Sequence, residues 1–471
     1  MTRLSRRTFL AGSAALAVAP ALGQVPASGE VDVVIVGAGA AGIAAARKVA
    51  AAGRRFALLE ATDRVGGRCI ADAKIFGVPF DRGAHWIHMP DINPVAKLAP
   101  GTGLDVYPAP PGQKLRIGPR NAREGEMEDF LAAQVRANRA IADVARGKTD
   151  VPAAQALPKD LQDWRPTVEF VLGPFAYGKD LSDISAVDFA RAAERDSAAF
   201  CRQGFGALLA KLAEGIPVQL RNPVTRIEWE RGLQVETQSG TLRARAAIVT
   251  VSTNVLEAGG LKFSPALPRR QLDAFARLSL GSYDHIVLEL PGNPLRLQHD
   301  ELVFEKAGGA RTGALLANVS GTDLCMIDVA GGFGRELSAQ GEAAMAAFAT
   351  EWLANLYGAE LKKAAKRIHA TRWNAEPYAL GAFSAATPGG QPFRRALMEP
   401  LRERLYFAGE AVHETLWGTV GGAWESGERA ADAALRRLAG ARAQTQPAKK
   451  RAAPRPQRPP PKQQRRGSFF D

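Results

Sequence analysis

The sequence predicts an α/β protein built around a doubly wound, Rossmann-like nucleotide-binding domain. Residues 31–36 form an apolar, β-branched run with the length of a buried strand, and an Ala-rich segment to about residue 52 has the composition of a helix. A second apolar run, residues 56–59, completes a βαβ unit. The length of 471 residues exceeds one ordinary core, which predicts a second domain joined to the first.

The turn between the first strand and the helix has the spacing G-x-G-x-x-G at Gly37, Gly39 and Gly42, with Ala41 inside it. The first glycine permits the tight turn, the second lets a pyrophosphate approach the backbone, and the third packs the helix against the strand. The helix N-terminus offers free N–H groups to phosphates. Glu60 follows 18 residues after Gly42, where a carboxylate accepts hydrogen bonds from ribose hydroxyls. This segment therefore predicts a dinucleotide-binding site.

The positive charge of the chain lies mainly in its two tails. The net charge is +13, of which residues 1–24 carry +3, residues 441–471 carry +8 and the body between them carries +2. A nearly neutral body argues against a nucleic-acid partner. The C-terminal tail is rich in Pro, Arg, Lys and Gln, which predicts disorder, with weak binding to an acidic surface as the alternative.

The N-terminus has the pattern of an export signal. Arg6 and Arg7 precede Phe9, Leu10 and a short Ala-rich stretch, with small-residue cleavage sites up to about residue 27. Paired arginines at this place resemble a twin-arginine signal, and the stretch is too short to span a bilayer. Because that route exports folded proteins, it suits a protein that takes up a cytoplasmic dinucleotide. We expect a signal peptide over residues 1–27, the twin-arginine machinery as a partner, a periplasmic location and no transmembrane segment.

A second glycine motif directly follows Glu60. The string EATDRVGGR, residues 60–68, places a Gly-Gly pair beside arginines, which suits a second pass of the backbone along a pyrophosphate. It resembles the E-A-R-D-R-x-G-G-R segment of the flavin amine oxidase family, with Thr62 in place of an arginine. A nicotinamide enzyme would not need this second motif. The resemblance therefore implies FAD, held by Glu60, Ala61, Gly67 and Arg68.

The string FDRGAHWIH, residues 80–88, resembles the family's D-x-G-A-x-W-I-H segment. The resemblance implies that His85 and Trp86 line the flavin. For His88, a structural role and a catalytic or substrate-binding role both remain open.

The resemblance also implies the division into domains. Val224 is expected to contact the adenine through its backbone. Helices are expected near residues 126–146 and 186–199, and the aromatic-rich part between them is either core or a wall of the substrate tunnel. The expected domains are a discontinuous FAD-binding domain (30–90, 204–280 and 400–440), an interleaved α+β substrate-binding domain (91–203 and 281–399) and a disordered basic tail (441–471).

Two further segments are expected to build the reaction chamber. The string GSYDH, residues 281–285, aligns with a family segment G-x-x-N-K whose lysine holds a water near the flavin N5. His285 takes the place of that lysine, and a histidine can still hold a water. Trp373, in an R-W-x-x-x-P string, falls where the family packs a tryptophan near the flavin. Phe383, in the string GAFS, falls where many members have a cage tyrosine.

The last motif lies near the C-terminus. The string FAGE ends at Gly409 and Glu410, and a glycine-rich turn with Thr419 and Val420 opens an Ala-rich helix. This resembles the family's F-A-G-E…T-V-x-G-A pattern, which implies that Glu410 accepts a hydrogen bond from a ribityl hydroxyl. The N–H groups at Thr419 and Val420 would face the flavin N1–O2 edge and stabilise the anionic reduced flavin. Trp417 is a third candidate for the aromatic pocket.

The positions of the cysteines indicate whether the flavin is bound covalently. Monoamine oxidases bind flavin covalently through a cysteine close to the segment that Trp373 and Phe383 resemble, whereas no cysteine follows Cys325 here, so we expect non-covalent FAD. The wide spacing of the three cysteines also predicts neither a disulfide framework nor a metal site. They are Cys69, Cys201 and Cys325.

The resemblance implies a flavin amine oxidase or amine dehydrogenase. A hydride would pass from the carbon beside the amine to flavin N5, and the imine would hydrolyse to an aldehyde or ketone. Either O2, giving H2O2, or a periplasmic electron carrier would reoxidise the flavin. Two alternatives remain open: an FAD-dependent desaturase or dehydrogenase of a non-amine, and a non-catalytic flavoprotein that serves as a binding or assembly factor.

Overall fold

The computed structural model of the chain describes residues 29–195 and 197–445. The predicted signal peptide, residues 1–27, lies outside them, as do residues 446–471 of the predicted tail. Within the described ranges, no helix is both long enough and apolar enough to cross a bilayer.

The described residues form twenty strands, which fall into four sheets. They are β1 (Gly29–Val36), β2 (Phe56–Leu59), β3 (Ala71–Asp72), β4 (Phe80–Asp81), β5 (Ile87–His88), β6 (Val106–Pro108), β7 (Lys114–Ile117), β8 (Arg120–Asn121), β9 (Ala198–Cys201), β10 (Val218–Gln219), β11 (Val224–Glu228), β12 (Leu233–Thr237), β13 (Gly240–Val249), β14 (Lys262–Ser264), β15 (Tyr283–Glu289), β16 (Glu301–Glu305), β17 (Ala314–Ala317), β18 (Leu324–Ala330), β19 (Arg367–Ala370) and β20 (Leu405–Phe407).

Twelve α-helices accompany these strands in the same part of the chain, together with short 3-10 turns and one π-helical turn. They are α1 (Ala40–Ala51), α2 (Pro94–Leu98), α3 (Glu124–Val144), α4 (Arg165–Phe170), α5 (Ala186–Arg191), α6 (Phe205–Leu212), α7 (Thr253–Glu257), α8 (Arg269–Arg277), α9 (Gly331–Ala339), α10 (Glu342–Tyr357), α11 (Phe393–Met398) and α12 (Val420–Thr445).

The first large sheet has the order β10-β2-β1-β13-β12-β11-β14, and β20 also pairs with β13. Strands β2 and β13 run parallel to β1, and β20 runs parallel to β13. Helices α1 and α12 pack closely because small residues face each other: a Cβ on Gly427 would lie 2.0 Å from the Ala41 carbonyl oxygen. The buried parallel strands and the crossover helix confirm the predicted α/β fold with a Rossmann-like nucleotide-binding part.

The second large sheet has the order β19-β15-β18-β17-β16-β7-β8 and is mostly antiparallel. One face packs on α10 through an apolar cluster that includes Phe348, Trp352 and Leu353. A small sheet, β5-β9-β6, lies beside it and carries His88. The predicted domain boundaries between the two large sheets stay a prediction.

The helix expected near residues 186–199 is wrong in its second half. Helix α5 ends at Arg191, and Ala198–Cys201 instead forms strand β9 between β5 and β6. Pairing with two distant strands overrides the helix propensity of this alanine-containing segment. The helix expected near residues 126–146 is present as α3.

Candidate active site

One continuous cavity of about 1230 Å³ joins the two large sheets. Its nucleotide end, as we call it, is lined by the β1–α1 turn, by residues 59–69 and by Val224. Its chamber end is lined by aromatic and polar side chains of the second sheet and neighbouring loops: Phe175, Tyr283, His285, Phe304, Trp373 and Phe383.

The two glycine motifs meet at the nucleotide end. Gly39 and Gly66 form a backbone bridge, and a Cβ added to Gly67 would lie only 3.1 Å from the Gly39 Cα. Gly37 has a φ of +100°, a conformation that favours glycine. A Cβ on Gly42 would lie 1.8 Å from the Gly37 carbonyl oxygen, so this glycine serves helix–strand packing rather than lining the cavity. The turn at Gly37 and the packing at Gly42 agree with their predicted roles, and the approach of a pyrophosphate at Gly39 stays a prediction.

Glu60 lies at the end of β2 with both carboxylate oxygens oriented by neighbours. The Ala38 N–H donates to Oε2 at 2.7 Å. The Thr62 N–H and hydroxyl donate to Oε1 at 2.9 Å and 2.8 Å. Thr62, where the family string has arginine, therefore orients the carboxylate that was predicted to hold the ribose. Ala61 lines the cavity beside it.

Glu410 joins three distant segments at the middle of the cavity. Its carboxylate accepts hydrogen bonds from Arg68 Nη1 at 2.9 Å, from the Ser384 hydroxyl at 2.7 Å and from the Gly418 N–H at 3.1 Å. Burial raises the pKa of Glu410, but Arg68 and these hydrogen bonds outweigh it and hold the pKa below its usual value. Gly409 lines the cavity next to it.

The beginning of α12 faces the same space. Thr419 and Val420 line the cavity, and the Thr419 hydroxyl accepts the Gly422 N–H at 2.9 Å. The first N–H groups of a 26-residue helix therefore lie at the cavity wall, where an anionic ligand edge is favoured.

The residues at the nucleotide end fit a flavin dinucleotide. The crowded glycines leave a cradle that any side chain would fill, and the Glu60 carboxylate lines the cavity beside it. Two buried polar atoms near the expected flavin position, His85 Nε2 and Trp86 Nε1, have no partner among the described residues. The other His85 nitrogen donates to Asp81 at 2.9 Å, and both His85 and Trp86 line the cavity. Their contact with the flavin stays a prediction.

His285 requires a correction. Its Nδ1 donates to Asp328 Oδ1 at 2.5 Å, and its Nε2 donates to the Gly83 carbonyl oxygen at 2.8 Å. Because a carbonyl and an ionised carboxylate only accept, this geometry favours a ring that is protonated on both nitrogens, an imidazolium. Burial lowers the pKa of His285, but the charge and hydrogen bond of Asp328 outweigh it and raise the pKa. The geometry does not fit the predicted role of holding a water, since both nitrogens already have protein partners.

The chamber wall includes two of the predicted aromatics. Trp373 is buried, and its indole N–H donates to the Arg82 carbonyl oxygen at 2.9 Å. Phe383 packs beside Tyr283, with ring centroids 5.6 Å apart. Phe175 also lines the chamber, so the aromatic-rich part of the middle segment supplies one wall residue while its neighbours pack in the core.

Trp417 does not line the cavity, contrary to the prediction. Its side chain is fully buried and packs against Tyr177, at 4.9 Å between ring centroids, and beneath the Arg394 guanidinium at 4.5 Å. The motif gives its position in the chain, but the ring packs in an apolar cluster with Tyr177 rather than facing the chamber. Its carbonyl oxygen, in contrast, binds Arg195.

His88 lies at the chamber end with its ring parallel to Trp86, at 6.4 Å between centroids. Burial, together with the positive charge of Arg195, lowers the pKa of His88 to about 3. The imidazole is therefore neutral over the physiological pH range.

A Rossmann-like fold with a glycine-lined cavity of this kind defines a dinucleotide-binding protein. The family described as flavin containing amine oxidoreductase matches residues 159–435, and an NAD(P)-binding Rossmann-like domain matches residues 35–98. The chain belongs to the flavin-containing amine oxidoreductase family: it is a flavin amine oxidoreductase that binds FAD.

Curated relatives agree with this assignment. Polyamine oxidase 4 of Oryza sativa subsp. japonica is 26% identical over 446 residues, which cover 86% of this chain and 89% of the relative. Lysine-specific histone demethylase 2 of Homo sapiens is 26% identical over 438 residues, which cover 85% of this chain but only 53% of the demethylase. The chain thus spans about half the length of that relative.

Solved structures share the fold. Putrescine oxidase bound to putrescine has a TM-score of 0.75 at 20% identity, covering 87% of this chain and 100% of that one. Cyclohexylamine oxidase from Brevibacterium oxydans IH-35A has a TM-score of 0.74 at 21% identity, with the same coverage.

Several residues of the site escaped prediction from the sequence. Asp328 and Ser384 act through hydrogen bonds to partners 43 and 26 residues away. Arg195 lies between a short helix and a strand that was expected to be helical. Ser384 falls in the GAFS string, but its contact with Glu410 is not encoded there; no motif or periodicity marks Asp328 or Arg195.

Proposed function

We propose that this enzyme oxidises a primary or secondary amine to an imine, which hydrolyses to an aldehyde or ketone. Bound FAD supplies the acceptor for the hydride released from the carbon beside the nitrogen. The observation that carries the proposal is one continuous cavity, in which a glycine-lined cradle opens into an aromatic chamber. Relatives and structural neighbours named as amine oxidases support it.

The chamber lining is suited to keeping a substrate amine neutral. Desolvation by aromatic walls lowers the pKa of an ammonium group, and only a neutral amine has the lone pair that expels a hydride. Phe383 and Trp373 are the side chains we propose to position the reacting C–H bond. No general base is needed on this route.

For His285 we propose a positioning role in place of the predicted water-holding one. The imidazolium bridges Asp328 on β18 and the Gly83 carbonyl oxygen, and the Gly83–Ala84 turn lines the cavity. The ring would thereby hold that turn against the flavin.

We propose that each residue predicted to bind the cofactor, apart from Gly42, contacts FAD. All of those predicted residues except Gly42 line the cavity. Of the three cysteines, Cys69 also lines it, and burial raises the pKa of its thiol to about 12. A protonated thiol is a poor nucleophile, which supports our proposal of non-covalent FAD.

We propose twin-arginine export and a periplasmic location, with O2 or a periplasmic carrier as the final electron acceptor. The support is the sequence of residues 1–27 alone, which lie outside the described residues. Purified enzyme reduced by its amine should be reoxidised by air, with H2O2 formed, or by a c-type cytochrome, and the faster reaction identifies the acceptor.

Anaerobic titration against an amine panel tests the proposed function. At least one primary or secondary amine should bleach the flavin absorbance, and the aldehyde or ketone should form in equal amount. If no amine bleaches the flavin but a non-amine substrate does, a desaturase or dehydrogenase function replaces the proposal.

A further inference from the structure

Arg195 is a cation in the chamber wall that the proposed reaction does not yet use. Its side chain lines the cavity. The guanidinium lies over the rings of Tyr177, at 5.1 Å, and Trp417, at 5.5 Å. Its two terminal nitrogens donate to backbone carbonyl oxygens, Nη1 to Ala176 at 3.2 Å and Nη2 to Trp417 at 2.7 Å. These contacts fix the position of the group but do not neutralise its charge.

The nearby carboxylates are already paired with other arginines. Asp188 forms a two-pronged, fully buried pair with Arg394 at 2.7 Å and 2.8 Å. Glu410 is paired with Arg68 at 2.9 Å. Within residues 29–195 and 197–445, no carboxylate forms an ion pair with Arg195. Of the five guanidinium N–H groups, two are used by the carbonyls, and the residue is only half-buried.

The guanidinium also lies next to the expected reaction centre. A Cβ built on Gly418 would lie 3.3 Å from Phe383 Cδ2 and 3.6 Å from Arg195 Nη2. The cation and the predicted cage residue therefore border the same point of the chamber, beside the first turn of α12. His88, neutral and with a buried Nδ1 that lacks a partner among the described residues, lies on the same side.

An unpaired cation at this point disfavours one substrate class and favours another. A diamine or polyamine would bring a second ammonium group toward the guanidinium, which like-charge repulsion opposes. A carboxylate would form the charge-assisted hydrogen bonds that the free N–H groups of the planar guanidinium can make.

We propose that Arg195 binds a carboxylate of the substrate, so that the amine oxidised is an α-amino acid. This inference rests on the proposed function. The α-carboxylate is one bond from the carbon that loses the hydride, which matches the closeness of Arg195 to Phe383. The product would then be a 2-oxo acid together with ammonia, formed when water hydrolyses the imino acid.

The test compares phenylalanine, both enantiomers, with 2-phenylethylamine, which differs only by the carboxylate. Anaerobic flavin reduction is measured by stopped-flow on FAD-loaded wild type and on R195M, R195K and R202M. Arg202 is the matched control, because it also stacks on a tyrosine, at 4.5 Å, but is paired with Asp105 and does not line the cavity. FAD content and melting temperature are recorded for every variant.

We expect the wild type to reduce faster with one phenylalanine enantiomer than with the amine. R195M should lose about 100-fold in apparent affinity for phenylalanine while its reaction with the amine changes little, and R195K should retain part of the affinity. R202M should behave as wild type. Equal losses for both substrates in R195M, or a wild type that prefers the amine, would overturn the inference and leave the proposed function standing.

A second readout does not depend on turnover. Phenylacetate, a carboxylate without an amine, is titrated into the FAD-loaded proteins while the flavin absorbance spectrum is recorded. It should perturb the spectrum of the wild type and R202M but not that of R195M. If no amine or amino acid reduces the flavin, the proposed function fails. The phenylacetate titration then decides alone whether the carboxylate site exists. A wild-type spectrum that phenylacetate does not perturb would contradict the site.

Discussion

The nucleotide end and the chamber end of the cavity are built in different ways. At the nucleotide end, two stretches within residues 36–69 supply backbone groups and the Glu60 carboxylate, next to lining residues from 223–225 and 250–261. At the chamber end, side chains come from β15, β16, the 373–383 segment and the loop after α5, and hydrogen bonds hold them across long sequence distances. The comparison teaches that the glycine cradle is built by local chain geometry, whereas the chamber depends on tertiary contacts.

The largest expected effect concerns a buried ion pair that supports the chamber end. D188A would leave the fully buried Arg394 without its carboxylate, which costs about 3–5 kcal/mol of unfolding free energy. Urea denaturation measures the loss. The control is D273A at the exposed Arg269 pair, where we expect no measurable change. A small loss in D188A would mean that the chamber end does not depend on this pair.

The next prediction separates backbone strain from crowding at the nucleotide end. Gly67 and Gly53 have similar positive φ values, +60° and +63°, but a Cβ meets the Gly39 Cα only at Gly67. Both G67A and G53A should lose about 1 kcal/mol of stability from backbone strain. G67A should lose a further 1–3 kcal/mol, approximately, from overpacking, and should be purified with little FAD.

The ratio of flavin to protein absorbance measures the retained FAD in both variants. Equal retention of FAD by G67A and G53A would show that the meeting of the two glycine motifs does not form the cradle.

A pH prediction follows from the His285–Asp328 pair. Because the pKa of His285 is raised in the folded state, its contribution to stability is fully present below the unfolded value and is lost as the pH rises through the folded pKa. The groups that face the imidazole are Asp328, Asp284 and the Gly83 carbonyl. At pH 6, D328N should be less stable than wild type by about 2 kcal/mol, since a charged hydrogen bond is lost.

Urea midpoints from pH 6 to 9 test this pair. The difference between wild type and D328N should shrink as the pH rises. A difference that grows with pH would mean that the histidine is neutral in the folded protein. H285Q provides a comparison in which the titrating group itself is removed.

The smallest expected effect is at Thr62. T62V removes the hydroxyl that donates to Glu60 at 2.8 Å, and the affinity of the apoprotein for FAD should fall by about 1 kcal/mol, or roughly fivefold. Quenching of FAD fluorescence measures the affinity. T350V is the control, because that hydroxyl donates only to carbonyls of its own helix, α10. An unchanged affinity in T62V would show that the backbone N–H alone orients Glu60.

The sequence predicts the nucleotide end in detail because its determinants are consecutive. Gly37, Gly39, Gly42 and Glu60 lie within one βαβ unit, where spacing alone determines geometry. At the chamber end, the sequence predicts the chain positions of residues but not the directions of their side chains. A motif gives the chain position of Trp417 but not the direction of its ring, which packing against Tyr177 decides.

Two predictions from the sequence fail for the same physical reason: the water-holding role of His285 and the helical structure of the segment after α5. Asp328 lies on the strand that pairs with β15, and it reaches the imidazole because of the register of that pairing. Strand β9 forms because two distant strands flank it. No local pattern encodes either contact.

The most direct test of the proposed amine oxidation is the anaerobic reduction of the bound flavin by an amine deuterated at the carbon beside the nitrogen. The account predicts that the amine bleaches the flavin, and that deuterium at this carbon slows the bleaching several-fold, because the C–H bond breaks in that step. A fully FAD-loaded enzyme that no amine or amino acid reduces would contradict the account.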